Sequence, residues 1–100
     1  MNRLIQVVIT TILISLSLNI FAEVRKSYYE SGVLQSETNY KNDKKEGLTK
    51  RYHESGALKT EGSYKNGEYD GLYKVYSESG LLMHRSNFKN GKLLGKWTRK

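Results

Sequence analysis

Side chains able to do covalent or metal chemistry are few in this sequence, and they do not converge. Among 100 residues there is no cysteine, which excludes disulfides, thiolate metal sites, a cysteine nucleophile and a lipid-modified cysteine anchor. The two histidines, His53 and His84, are far apart and occupy unrelated positions of the repeat described below. Asp43 and Asp70 are the only aspartates, and both fall in turn segments, where Asp serves backbone needs. No Ser-His-Asp spacing, P-loop or dinucleotide motif occurs. The expectation is a non-enzymatic protein with no catalytic residue, cofactor or metal.

Binding chemistry is better represented. The formal net charge is +7, a sign that favours anionic partners without naming one. Lys41, Lys65 and Lys89 each follow an aromatic residue, and with Lys50 and Lys74 they suggest a basic ladder. Such a ladder has two readings: a contact for anionic lipid or envelope polymer, or a solvated edge that blocks strand-to-strand aggregation. Tyrosines interleaved with lysines also stack on nucleic acid. Glutamates are interspersed through the same segments, and an exported chain seldom meets nucleic acid, so that partner is disfavoured.

The elements that position these residues come from a 24-residue repeat. Glu30-Ser31-Gly32 recurs as Glu54-Ser55-Gly56 and Glu78-Ser79-Gly80. In the same register stand Leu34, Leu58 and Leu82, and Tyr40-Lys41-Asn42, Tyr64-Lys65-Asn66 and Phe88-Lys89-Asn90. Aromatics also mark the half-period, at Tyr28, Tyr40, Tyr52, Tyr64, Tyr76 and Phe88. Even-numbered apolar residues alternate with odd-numbered charged ones between Gly47 and Tyr64, the pattern of a half-buried strand. Glu-Ser-Gly fits a three-residue hairpin loop with a left-handed glycine, Gly32, Gly56 or Gly80, and Asn66-Gly67 and Asn90-Gly91 are strong two-residue turns. The pattern predicts two strands per repeat, about seven in all, with Tyr28 opposite Leu34, Tyr52 opposite Leu58 and Tyr76 opposite Leu82. The fold class is an all-β, single-layer antiparallel meander in which each repeat buries its Tyr and Leu against the next.

On this register Tyr29, Tyr69, Tyr73 and Trp97 are odd-numbered and should project from the face opposite Tyr52, Tyr64, Leu58 and Leu72. They are candidates for a binding surface, together with Lys41, Lys65 and Lys89. The competing reading is that a sheet one layer thick packs aromatics on both sides. Trp97 also offers apolar cover to the last strand, where Lys96 replaces Leu48 and Leu72 of the earlier repeats.

The N-terminal segment, Met1 to Ala22, differs in kind. Asn2-Arg3 is followed by an uncharged apolar run from Leu4 to Phe21, and Ala22-Glu23 has the look of a processing site. The expectation is a signal peptide helix over 1–22, cleaved after Ala22, with export to the periplasm or beyond; an uncleaved anchor is the alternative. The domain is 23–100, with repeats at about 28–51, 52–75 and 76–100. Ile, Leu, Val and Phe are sparse in that domain, so a large apolar core is ruled out.

The combination Tyr-x-Glu-Ser-Gly-x-Leu and Tyr-Lys-Asn-Gly-x-x-x-Gly-Leu resembles the MORN repeat in its bacterial variant form, found in proteins labelled YwqK-family antitoxins. The resemblance runs from Tyr28 to about Trp97 and departs at Asn42-Asp43, where Asp stands for the usual glycine. It implies an interaction scaffold with no common catalytic residues, protein partners, phospholipid surfaces less often, and through the antitoxin label a toxin partner. The expected function is an exported repeat scaffold that binds another protein at the cell envelope or surface.

Overall fold

Glycine and asparagine punctuation cuts the chain into short segments, each too short and too polar to form anything but one strand of a larger sheet. The computed structural model describes residues 22–100; the expected signal helix over 1–22 lies outside the described residues apart from Ala22, which opens the first strand. Seven strands follow one another: β1 (Ala22–Tyr28), β2 (Leu34–Lys41), β3 (Lys44–Tyr52), β4 (Leu58–Lys65), β5 (Glu68–Tyr76), β6 (Leu82–Lys89) and β7 (Lys92–Thr98). They form one antiparallel sheet in the order β1-β2-β3-β4-β5-β6-β7, a single layer measuring 50 × 35 × 14 Å.

Two turn chemistries alternate and set the width of the sheet. Along one edge, Gly32, Gly56 and Gly80 hold φ of 97°, 98° and 93°, a conformation open to glycine at little cost. Their N–H groups donate to the carbonyls of Tyr29, His53 and Ser77 at 2.9, 2.8 and 3.0 Å. Tyr28 faces Leu34, Tyr52 faces Leu58 and Tyr76 faces Leu82, as the spacing predicts. Along the other edge, Asn66-Gly67 and Asn90-Gly91 are two-residue turns with positive φ throughout, the primed geometry that matches strand twist. Asn42-Asp43 makes the same turn with φ of 51° and 66°.

Register assigns the faces, because directly opposed residues share one. The threonine face carries the transverse row Arg25, Thr38, Thr49, Gly62, Tyr73, Ser86, Lys96. The leucine face carries the three Tyr/Leu pairs, Leu48 and Leu72, and a row of alternating charge: Lys26, Glu37, Lys50, Glu61, Lys74. Opposite charges so placed contribute at most about 0.2–1 kcal/mol per pair.

Burial corrects one expectation. No hydrophobic side chain among the described residues is buried; Thr38, Thr49, Thr60 and Ser86 are almost completely so, while Tyr28, Leu48 and Leu72 are exposed. A single layer cannot enclose a large side chain on both sides, so only short hydroxyl residues in mid-strand rows are covered, by their longer neighbours. Stability therefore rests on the backbone ladder and on contacts between successive repeats. Gly67 N–H donates to Lys45 O at 2.9 Å and Gly91 N–H to Tyr69 O at 2.8 Å, so each of these turns ties back to the strand that precedes its own hairpin.

Candidate functional site

The turn Asn66-Gly67 sets Tyr64 directly across from Tyr69, and from this pair an aromatic cluster grows on the threonine face. The Tyr64 and Tyr69 rings stack at 4.6 Å, Tyr69 stacks on Phe88 at 4.9 Å, and Tyr73 meets Tyr69 edge-on at 5.5 Å. Lys45 lies 4.9 Å above the Tyr64 ring, an arrangement that favours the cation. Burial, then hydrogen bonding with Tyr69 and the nearness of Tyr69 and Tyr73, pushes the Tyr64 hydroxyl well above the usual tyrosine range.

This corrects the two-face assignment. Tyr69 and Tyr73 do not project opposite Tyr64; they pack with it. Across a two-residue turn the partner numbers sum to an odd value, 64 with 69, so parity reverses from one strand to the next. Within β4 the register shifts between Leu58 and Thr60, so Leu58 and Tyr64, both even, lie on opposite faces. Tyr52 and Leu72 do stay with Leu58 on the leucine face.

Gly62 is what admits the cluster. Where Thr38 and Ser86 stand at the equivalent positions of the repeats before and after, β4 has glycine, and the Tyr73 ring lies over it. A Cβ built on Gly62 would come within 2.9 Å of Tyr73 Cδ1. Beside the ring opens a cleft of about 310 Å³ lined by Thr49, Arg51, Lys59, Thr60, Gly62 and the three tyrosines. The Thr49 hydroxyl is buried with no hydrogen-bond partner. The cleft thus offers aromatic faces, two cations and an unsatisfied hydroxyl, a set suited to holding a ligand and lacking any nucleophile-base pair. Sequence reasoning missed Thr49, Arg51 and Gly62. The available signal was Gly62 itself, a glycine outside both turn motifs.

The other expected surface residues are dispersed. The Tyr29 hydroxyl donates to Tyr52 O at 2.6 Å, and His53, its counterpart one repeat later, bonds Tyr76 O through Nε2 at 3.1 Å. Both side chains link consecutive repeats at the Glu-Ser-Gly edge. Lys41, Lys65 and Lys89 close β2, β4 and β6 at the opposite edge and are all exposed. Lys50 and Lys74 stand apart from them in the charge row, so no single ladder joins the five. His84 bonds Thr98 and Ser86 at 2.9 and 2.7 Å.

Trp97 has changed sides. One repeat earlier Gly62 faces Tyr73, and two repeats earlier Thr38 faces Thr49, so Ser86 should face Trp97; instead it faces Lys96, and Trp97 faces Arg85. Gly47 and Gly71 take φ of 93° and 105° where the first two hairpins widen, and Gly95 does not adopt positive φ. With one residue fewer in the irregularity, β7 slips by one and delivers the indole to the leucine face, a one-residue shift being enough to turn every side chain over.

Residues 24–42, 45–66 and 69–90 match the family of the MORN repeat variant, three consecutive units that span β1-β2, β3-β4 and β5-β6, the hairpins joined by the Glu-Ser-Gly turns and bounded by the Asn-Gly-type turns. No curated protein and no solved structure matches the chain significantly. MORN repeats form repeat scaffolds that commonly bind proteins or membranes and are generally without enzymatic activity. With all three hairpins covered by that match, the chain belongs to the MORN repeat variant family.

Proposed function

We propose that the chain is an exported, non-enzymatic scaffold that binds another protein at the cell envelope or surface, using the threonine face. The observation that supports this reading is the cleft beside Tyr73, where half-buried tyrosines, Arg51, Lys59 and the unpartnered Thr49 hydroxyl meet on a sheet that needs no such opening for its own packing. Aromatic residues and arginine dominate the energetics of protein interfaces. The apolar run ahead of Glu23 supports export. Affinity capture from an envelope fraction tests it: a specific protein should be enriched over a control chain bearing Tyr73→Ala and Arg51→Glu, and equal recovery by both would refute the use of this face.

The exposed lysines of the Asn-Gly edge favour a second reading, peripheral attachment to anionic lipid or envelope polymer. Lys41, Lys44, Lys65, Lys89 and Lys92 flank three successive turns there. Attachment of that kind fades steeply as ionic strength rises, whereas a partner seated in the aromatic cleft resists salt. Sedimentation with phosphatidylglycerol vesicles across a salt series separates the two.

A further inference from the structure

The alternating charge row of the leucine face breaks in the third repeat. Glu37 and Glu61 recur as Arg85, so Lys74 and Arg85 stand directly opposed with like charge. Such juxtaposition is unfavourable unless something neutralises it. The Arg85 side chain is exposed and makes no ion pair or hydrogen bond among the described residues. Its other cross-strand neighbour is Trp97, turned to this face by the slip of β7 and 40% exposed. Leu72, Arg85, Asn87, Gly95, Lys96 and Trp97 line an opening of about 300 Å³ here.

The same place is the edge of the sheet. Among the described residues no strand lies beyond β7, whose outward N–H and C=O groups are a template for another strand. From Lys92 to Lys100 the chain carries four basic residues and no acidic one. The opposite edge differs: on β1, Arg25 is already paired with Glu23 and Asp43 at 2.6 and 3.0 Å. A second copy of the chain laid along β7 by its own β7 would bring two basic strands together, which like charge opposes.

We propose that β7 receives an extended acidic segment of a partner protein as an eighth strand, with a carboxylate beside Trp97 completing the charge row that Arg85 interrupts. Strands lie about 4.8 Å apart, so such a carboxyl-bearing residue sits two spacings from Arg85, a gap that an arginine and a glutamate side chain bridge together. Backbone pairing supplies affinity and the charge row supplies selectivity, the division of labour in strand addition. The inference rests on the reading of the chain as a protein-binding module and adds a contact outside the threonine-face cleft.

Trp97 is the single tryptophan, so its emission reports the site. The test titrates the full chain with a capped seven-residue peptide alternating Glu and Val, the length of β7, against a Lys/Val peptide and phosphatidylglycerol vesicles. The acidic peptide should shift the emission saturably and the basic one should not. Arg85→Glu and Arg85→Ala should each weaken binding about 10-fold or more, while Lys26→Glu, the same charge change as Arg85→Glu at the far edge, should leave it within about 3-fold. No saturable shift, equal loss in Lys26→Glu, or an Arg85-dependent response to vesicles alone would overturn the proposal. Partner capture that survives Arg85→Glu would overturn it too, while leaving the threonine-face reading intact; undiminished capture by the cleft variants, with peptide binding retained, would do the reverse.

Discussion

A methyl group added at Gly62 probes the packing of the candidate site directly. In Gly62→Ala the new Cβ would stand 2.9 Å from Tyr73 Cδ1 and 3.7 Å from Tyr69 Cε1, against an ordinary carbon-carbon separation of about 3.5–4.0 Å. The Tyr73 ring must therefore shift by more than about half an ångström. It has little room to do so, because it abuts Tyr69, which is itself held between Tyr64 and Phe88. Overpacking of this kind costs about 1–3 kcal/mol. The backbone of Gly62 is not left-handed, so alanine recovers about 0.4–1 kcal/mol through the unfolded chain. The expected net loss is about 1–2 kcal/mol, or a Tm drop of about 4–8 °C per kcal/mol for a domain of this size. Thermal melts followed by Trp97 fluorescence and far-UV circular dichroism measure it. Gly95→Ala is the control: nothing lies within 4 Å of its Cβ, so stability should be unchanged or slightly raised. In a Tyr73→Ala background Gly62→Ala should cost nothing. An equal cost with and without the Tyr73 ring, or equal effects at Gly62 and Gly95, would refute the packing argument.

Other consequences can be checked on the same samples. Tyr29→Phe removes the 2.6 Å bond to Tyr52 O and should lower stability by about 0.5–1.5 kcal/mol in urea melts. Asp43→Gly relieves a non-glycine residue at φ 66° and should raise stability by up to about 1 kcal/mol, less whatever is lost with the Arg25 contact. Because the folded state holds the Tyr64 proton above its ordinary range and the unfolded chain releases it near pH 10, that contribution is present below about pH 10 and lost as pH rises beyond it. Urea midpoints should fall above pH 10, and Tyr64→Phe should make the fall shallower.

The repeat, the strand count and the Tyr28-Leu34 type of pair were legible because each depends on local spacing and turn chemistry. Face assignment was not. It depends on how many residues each hairpin places between paired positions, and a single extra residue, as near Lys59, sends Leu58 and Tyr64 to opposite sides. Trp97 shows the same effect: nothing in its neighbours' types announces that β7 pairs Arg85 with Trp97 in place of Thr98. Gly95 matches Gly47 and Gly71 in sequence and differs from them in φ. The threonine row escaped notice because burial there follows from position in mid-strand rows, and Thr38, Thr49 and Thr60 share no common place in the 24-residue unit.

Lys50 and Arg51 are sequence neighbours on opposite faces of β3, the first in the charge row and the second in the wall of the cleft. Neutralising each in turn makes the most direct comparison, since Lys50→Gln and Arg51→Gln remove the same charge from adjoining positions. Affinity capture of the partner, quantified for both variants at matched thermal stability, is the measurement. The account predicts that Arg51→Gln loses most of the captured protein while Lys50→Gln retains it. Equal retention by both, or selective loss in Lys50→Gln, would contradict binding through the threonine face.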